Sequence, residues 1–471
     1  MSPPRAVRAL TVAVSLASVA SASAVGQAPS LVQRHVSLDL TVDYDAGTVS
    51  GSAGHVVENA GQAPVRELAF LLGRLMTVSA IRISDTRHGD WSQDVVTFPD
   101  WPSYQANEVR VYLDEPLAPG ASARVDIEYG GVLVGYTETG MRYVRDRVSE
   151  DFTILRGDAL AFPQPGTASL ASMRAQRRED FTFDAAVTVP EGLVVAAAVP
   201  GERSEGVEGV RWSFRSRAPV PFLLIAVASY RVISQGATRV FHFPQDSVGA
   251  ARILEEATAA DALYSRWFGE SARDLPVTIM EIPEGWGSQA SLTGGIIQTA
   301  DSFRSAAALP ELYHELAHLR HPRETEVPAD RWNEGLATYL QWRVAEARDP
   351  AFDFEGRMES IAASVVRDDE ARPVTVEMTA YGENGLTGLA YRSGALLFFA
   401  LERRLGRETL DGCLGGWFGA FVDSGSGNED FAESLTTCDA RAAAVLDTWF
   451  VTTRWIERLR AGASLDEVVR Q

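Results

Sequence analysis

The period of the apolar residues changes once along this chain, and that change requires two differently built halves. Between about residues 31 and 235, apolar side chains recur at every second position. Val36, Leu38, Leu40, Val42 and Tyr44 alternate with polar neighbours, and Val125, Ile127 and Tyr129 do the same. The pattern returns at Phe181, Phe183, Ala185, Val187 and Val189, and again at Val210, Trp212 and Phe214. Successive side chains of a strand point to opposite faces, so each run predicts a strand with one buried and one wet face. Gly, Pro and Asp turns separate the runs, which predicts an antiparallel β-sandwich. Near residue 247 the step lengthens. Ile253, Ala257, Ala260, Tyr264 and Trp267 follow one another at three- and four-residue intervals, the spacing of a helix with one core-facing stripe. Most later segments read as helices, interrupted by strand-like runs at 277–282 and 296–299. The expected fold class is α+β. An N-terminal antiparallel β-sandwich domain over 25–235 precedes a mainly helical domain over 236–471.

The first 24 residues stand apart from this pattern. Arg5 and Arg8 precede an apolar stretch at 9–20, and the small-residue triplet Ala22-Ser23-Ala24 follows. A positive start, a short apolar middle and an Ala-x-Ala site read as a cleaved secretory signal. The stretch falls short of the ~20 residues that a bilayer span needs. No later stretch is apolar enough to cross a membrane, so the mature chain is expected to be exported, periplasmic or secreted, without stable membrane insertion. Export permits a disulfide between Cys413 and Cys438. Two buried free thiols are the alternative, and spacing alone does not choose.

Composition excludes more than it suggests. The formal net charge is −20, the reverse of the basic footprint of a nucleic-acid binder. The 43 basic residues are all arginine. A chain without lysine cannot run phosphate-loop, Schiff-base, pyridoxal, kinase or Ser–Lys chemistry, each of which needs one. Histidine is also scarce, at seven, yet His314, His318 and His321 fall close together.

That cluster carries the chemistry. The segment PELYHELAHLR at 310–320 opens with Pro and stops before Pro322, which predicts a helix. His314 and His318 are four residues apart and so project from one face of it. Two imidazoles at that separation can take two corners of a zinc tetrahedron, and Glu315 can act on the water without ligating the metal. Pro322 and Pro328 break this helix and Asp330 is the expected cap of the next, predicted over 331–347. Glu334 sits near its start. A second helix packed beside the first would deliver that carboxylate as third ligand, leaving the fourth position open as in catalytic rather than structural zinc sites. His321 is the rival ligand, but three ligands along one straight helix poorly surround one ion, and a solvated helix-end histidine is the plainer reading. One zinc per chain, held by His314, His318 and Glu334, is the expected cofactor.

HELAH followed by WNEG, and then YRSGALLFFALERRLG, resembles the gluzincin aminopeptidases of the aminopeptidase N type. AFPQPG at 161–166 and VTVPEGL at 187–193 resemble that family's N-terminal domain. The resemblance covers most of the mature chain and implies a β-sandwich joined to a thermolysin-like zinc peptidase domain acting on peptide substrates. It implies that Glu315 is the general base and that Tyr391 stabilises the transition state. The residues alone would read Tyr391 as a half-buried helix position facing the core with Ala395 and Phe398.

Two departures separate this chain from the family pattern. Fifteen residues lie between His318 and Glu334, where the family usually has eighteen. The family's Gly-x-Met-Glu-Asn motif, whose Glu holds the substrate amine, is replaced by GWGSQASLTGGIIQT over 285–299. That stretch offers neutral Ser288, Gln289, Ser291 and Thr293, with backbone groups of Gly294 and Gly295 to align an extended substrate. Neutral groups discriminate poorly between an ammonium and a peptide N–H, so a weak preference for a free N-terminus is expected. Glu284, or a carboxylate from the β domain, is the competing source of charge. The expected function is thus an exported zinc peptidase, an aminopeptidase in the first instance. An endopeptidase or other amide hydrolase, and a catalytically inactive binding relative, are the alternatives.

Overall fold

The computed structural model describes residues 31–470 apart from 85, 177–178, 207–208, 272–275, 292–293, 326–331 and 382–385. The signal-like segment, Thr293 and the expected cap Asp330 lie outside the described residues.

The alternating runs form the expected sandwich. An eight-stranded sheet runs in the order Gly201–Gly206, Gly209–Arg215, Thr182–Val189, Leu31–Asp43, Thr48–Asn59, Ser122–Gly131, Met76–Ile83, Thr86–His88. A four-stranded sheet, Gln164–Pro165, Val65–Gly73, Trp101–Leu117, Trp91–Phe98, covers its inner face. Val36, Leu40, Val125 and Ile127 of the first pack with Leu68, Phe70, Leu72 and Val109 of the second, so the period-two residues do face one core. One pairing departs from the antiparallel expectation: Leu31–Asp43 runs parallel to Thr182–Val189, with Val36 opposite Phe183. No hairpin joins these strands. A long excursion through both sheets separates them and leaves the direction of return free.

A three-stranded sheet, Val194–Ala197, Leu224–Ala228 and Thr153–Arg156, joins the halves. Its central strand is buried on both faces. Ile225 and Val227 enter the sandwich core, while Leu224, Ala226 and Ala228 pack with Met280, Ile282 and Ile297 beyond it. Those last three belong to a five-stranded mixed sheet ordered Arg231–Gln235, Thr238–His242, Thr278–Ile282, Gly295–Thr299, Gln289–Ala290. The two strand-like runs of the second half are its centre. Its first two strands form a hairpin, Gln235 pairing with Thr238 across a turn at 236–237.

Helices cover the other face of this sheet. In Ser247–Phe268, Ile253, Ala257, Ala260 and Tyr264 are buried as the spacing requires, against Ile279 and Ile296 below. Helices Leu309–His318, Trp332–Arg348 and Thr387–Leu405 pack around the same core. The last two touch backbone to backbone: a Cβ on Gly335 would lie 2.3 Å from Gly394 Cα. Cys413 and Cys438 form a disulfide between helices Arg407–Phe421 and Asn428–Cys438. Among the described residues no helix is long and apolar enough to cross a membrane.

Candidate metal centre

Helix Leu309–His318 begins with Pro310 in its first turn, where an amide donor is dispensable. It ends at His318, two residues sooner than the sequence suggests. His314 and His318 project toward Glu334, which lies in the first turn of Trp332–Arg348. Asn333 Oδ1 accepts the Glu334 backbone N–H at 2.6 Å and secures that turn. Glu334 Oε2 lies 3.1 Å from His314 Nε2 and 3.3 Å from His318 Nε2, and the two Nε2 atoms are 3.1 Å apart. Corners of a tetrahedron with 2.0–2.1 Å metal–ligand bonds are about 3.3 Å apart, so this triangle fits zinc on its three protein ligands. Among the described residues these three are the one group of His, Cys, Asp or Glu that converges in this way.

The other ring nitrogens are also engaged. His314 Nδ1 donates to Gln341 Oε1 at 2.9 Å, and His318 Nδ1 lies 3.1 Å from His321 Nε2. Gln341 Oε1 can only accept, so His314 carries its proton on Nδ1 and turns the Nε2 lone pair to the triangle. Burial alone would raise the Glu334 carboxyl, but the two imidazoles facing it outweigh burial and hold it well below the carboxylate range. Glu315 behaves oppositely: burial dominates and pushes its carboxyl up, only partly countered by the two histidines. Both Glu315 and Tyr391 line the same cleft as the triangle. The Tyr391 ring stacks on His314, 5.7 Å between centroids and 10° from parallel, and stays 36% exposed. Ala395 and Phe398 are fully buried, so Tyr391 faces the cleft and not the core.

No family model matches the chain. Its fold does match solved structures along most of its length. The M1 zinc metallopeptidase of Deinococcus radiodurans superposes with a TM-score of 0.64 at 22% identity, over 91% of this chain and 95% of that one. The fold is that of the M1 zinc metallopeptidases. A variant of the Deinococcus protein bound to a Tyr-Ser-Ala substrate gives 0.64 at 21% identity over 90% and 94%. A two-domain M1 zinc metallopeptidase variant bound to L-tryptophan gives 0.66 at 22% over 91% and 95%. Curated relatives include leucine aminopeptidase 2 of Chaetomium globosum, 22% identical over 85% of this chain and 67% of its own length. The Neurospora crassa enzyme of the same name is 22% identical over 85% and 61%. The chain thus spans about two thirds of the length of these relatives.

Within the M1 fold, the substrate residues named from sequence separate into two groups. Ser288 and Gln289 line the cleft. Ser288 Oγ accepts the Thr299 N–H at 3.1 Å, and Gln289 starts the short strand at the edge of the five-stranded sheet. Gly294 and Gly295 do not line the cleft. The Gly294 N–H donates to Ser291 at 2.9 Å and its carbonyl accepts from Thr278 at 2.7 Å, so neither group is left for substrate. Gly295 pairs within the sheet opposite Thr278, and a Cβ there would meet Ala198 Cβ at 2.6 Å. Gly295 is needed for close packing of the sheet on the β half, and Gly294 for a left-handed φ of 89°. Glu284 also misses the cleft; its carboxylate is ion-paired with Arg304.

Sequence reasoning missed Gln341 and two residues of the β half, Tyr143 and Asp158, that complete the cleft of about 960 Å³. Gln341 follows Glu334 by seven residues, two helical turns on the same face, which is a usable signal. Asp158 is three residues before the AFPQPG motif, but nothing local aims it at the metal. A larger groove, about 1120 Å³, lies against the eight-stranded sheet. It contains none of the three converging ligands, and its Asp39–Arg211 and Asp184–Arg215 charges are already paired.

Proposed function

We propose that this chain is a zinc-dependent aminopeptidase, exported to the periplasm or beyond the cell, that releases residues from the amino ends of peptides. The observation that carries the reading is the triangle of His314 Nε2, His318 Nε2 and Glu334 Oε2 with sides of 3.1–3.3 Å. Zinc held there supplies Lewis acidity, which acidifies water toward a pKa of ~7 and polarises a carbonyl. Every other part falls to side chains of this chain. Glu315, beside the ligands in the cleft wall, takes the proton of the attacking water and returns it to the leaving amine. Its raised proton affinity suits a group that must both accept and donate. The Tyr391 hydroxyl donates to the carbonyl oxygen as negative charge grows there. Its stacking on His314 holds the ring at the cleft wall. Among the described residues the Gln289–Ala290 strand pairs on one side only, and an extended peptide can align along the other.

Recognition of the free amine falls to Asp158. With Glu284 tied to Arg304, Asp158 is the carboxylate that the β half contributes to the cleft. Arg156 Nε lies 3.6 Å from it and fixes its position. The test compares kcat/KM for matched free and N-acetylated peptides, with and without chelator. The expectation is a preference for the free amine of several hundredfold, largely lost in Asp158→Asn. Equal rates on both peptides would instead identify an amide hydrolase without N-terminal recognition.

A further inference from the structure

We infer that His321 is a positioning residue that sets the tautomer and aim of His318, and through it the affinity of the site for zinc. The inference rests on the reading of His314, His318 and Glu334 as ligands. It concerns a residue that the sequence leaves as either a rival ligand or a solvated helix end. His321 is neither. It is 3% exposed, and its Nε2 lies 3.1 Å from His318 Nδ1, the ring nitrogen turned away from the triangle.

Local chain geometry delivers it there. Beyond His318 the helix tightens, with Leu319 N–H donating to Leu316 at 3.2 Å and Arg320 N–H to Ala317 at 3.0 Å. Pro322 then prevents another helical turn, and the chain leaves His321 against its neighbour three residues back. Trp332, two residues before Glu334, packs edge-on to the His321 ring at 6.1 Å. The two helices that supply the ligands therefore both hold His321.

The proton positions follow from one carbonyl. His321 Nδ1 lies 3.3 Å from the Pro322 carbonyl oxygen, which can only accept. His321 therefore carries its proton on Nδ1 and presents a lone pair at Nε2. That lone pair accepts the His318 Nδ1–H, leaving His318 Nε2 unprotonated and facing the triangle. Ligating histidines generally donate their second N–H to a partner that fixes ring and tautomer, and loss of that partner costs 10–100-fold in metal affinity. In this chain neither partner is a carboxylate: His314 has a carboxamide and His318 an imidazole.

The test is the zinc dissociation constant of the full chain, measured by chelator competition, for wild type, His321→Phe, His321→Gln and Glu334→Ala. Phenylalanine keeps a flat ring but cannot accept a hydrogen bond, and should weaken zinc by 10–100-fold. Glutamine carries an acceptor about as far from the backbone as His Nε2, and should recover affinity to within severalfold of wild type. Glu334→Ala reports on the ligand reading separately: undiminished affinity there would overturn that reading and this inference together. Affinity within twofold of wild type in His321→Phe, beside a loss in Glu334→Ala, would overturn the inference alone. Equal losses in the Phe and Gln variants would do so as well, because a packing role or direct ligation loses zinc without regard to the carboxamide acceptor.

Discussion

Gly335→Ala probes the contact that holds the ligand helix against the helix of Tyr391. A Cβ at Gly335 would lie 2.3 Å from Gly394 Cα, 2.6 Å from its carbonyl carbon and 3.1 Å from Ala395 N. Carbon atoms settle at about 3.5–4.0 Å. All three obstacles are backbone, so no side chain can swing aside, and the helices must part by about 1 Å. Overpacking of this kind costs about 1–3 kcal/mol, against which the better helix propensity of alanine returns up to ~1 kcal/mol. Gly412→Ala is the control, because it lies within helix Arg407–Phe421 and nothing stands within 4 Å of its Cβ. That change should stabilise by up to ~1 kcal/mol. The functional effect should exceed the thermal one. Glu334 is next to the contact and Tyr391 lies almost one turn from Gly394, so a 1 Å shift moves a ligand relative to the oxyanion donor. Such displacements can cost about a hundredfold in rate. Urea unfolding and kcat/KM on a free dipeptide, measured for both variants, make the comparison. Wild-type stability and a kcat/KM within twofold in Gly335→Ala would refute the argument that this backbone contact sets the spacing of the site.

Glu315→Gln should retain zinc by metal analysis and lose nearly all turnover, since an amide cannot accept the proton; substantial residual kcat would move the base elsewhere. Tyr391→Phe should keep metal and fold while kcat falls by about a hundredfold or more, the usual cost of one oxyanion donor; full activity would remove that role. His314→Ala and Glu334→Ala should each lose most of the zinc, because each deletes one of three protein ligands, with occupancy of the purified proteins as the check. Away from the cleft, burial raises the Glu281 carboxyl to about 9, so the folded chain keeps a proton that the unfolded chain releases near 4.5. The contribution of Glu281 to stability therefore declines as pH rises between about 4.5 and 9. Glu281→Gln should flatten that decline in Tm against pH, and an unchanged slope would show that Glu281 is not its source.

Much of the fold and the metal triangle was legible in the sequence because both depend on short-range geometry. Alternation along 36–44 determines which face of a strand is buried, and the four-residue step from His314 to His318 determines that both point the same way on a helix. WNEG identifies the partner helix, and the contact of Gly335 with Gly394 gives the physical reason for its glycine. Other features needed chain segments that no local rule connects. The parallel pairing of Leu31–Asp43 with Thr182–Val189 joins strands separated by most of the β half. Asp158 reaches the cleft only because the three-stranded sheet docks on the sheet of the second half. Gly294 and Gly295 lie close in sequence to Ser288 and Gln289, yet sheet pairing commits their backbone elsewhere. Cys413 and Cys438 are paired by the packing of two helices, which their spacing left open. His321 changes from a rejected ligand into a buried neighbour of His318, because a proline and a tightened helix end decide where its ring goes. Periodicity and spacing act through bonds within a few residues, whereas partners of buried polar groups are chosen by whichever distant segment fills the space beside them.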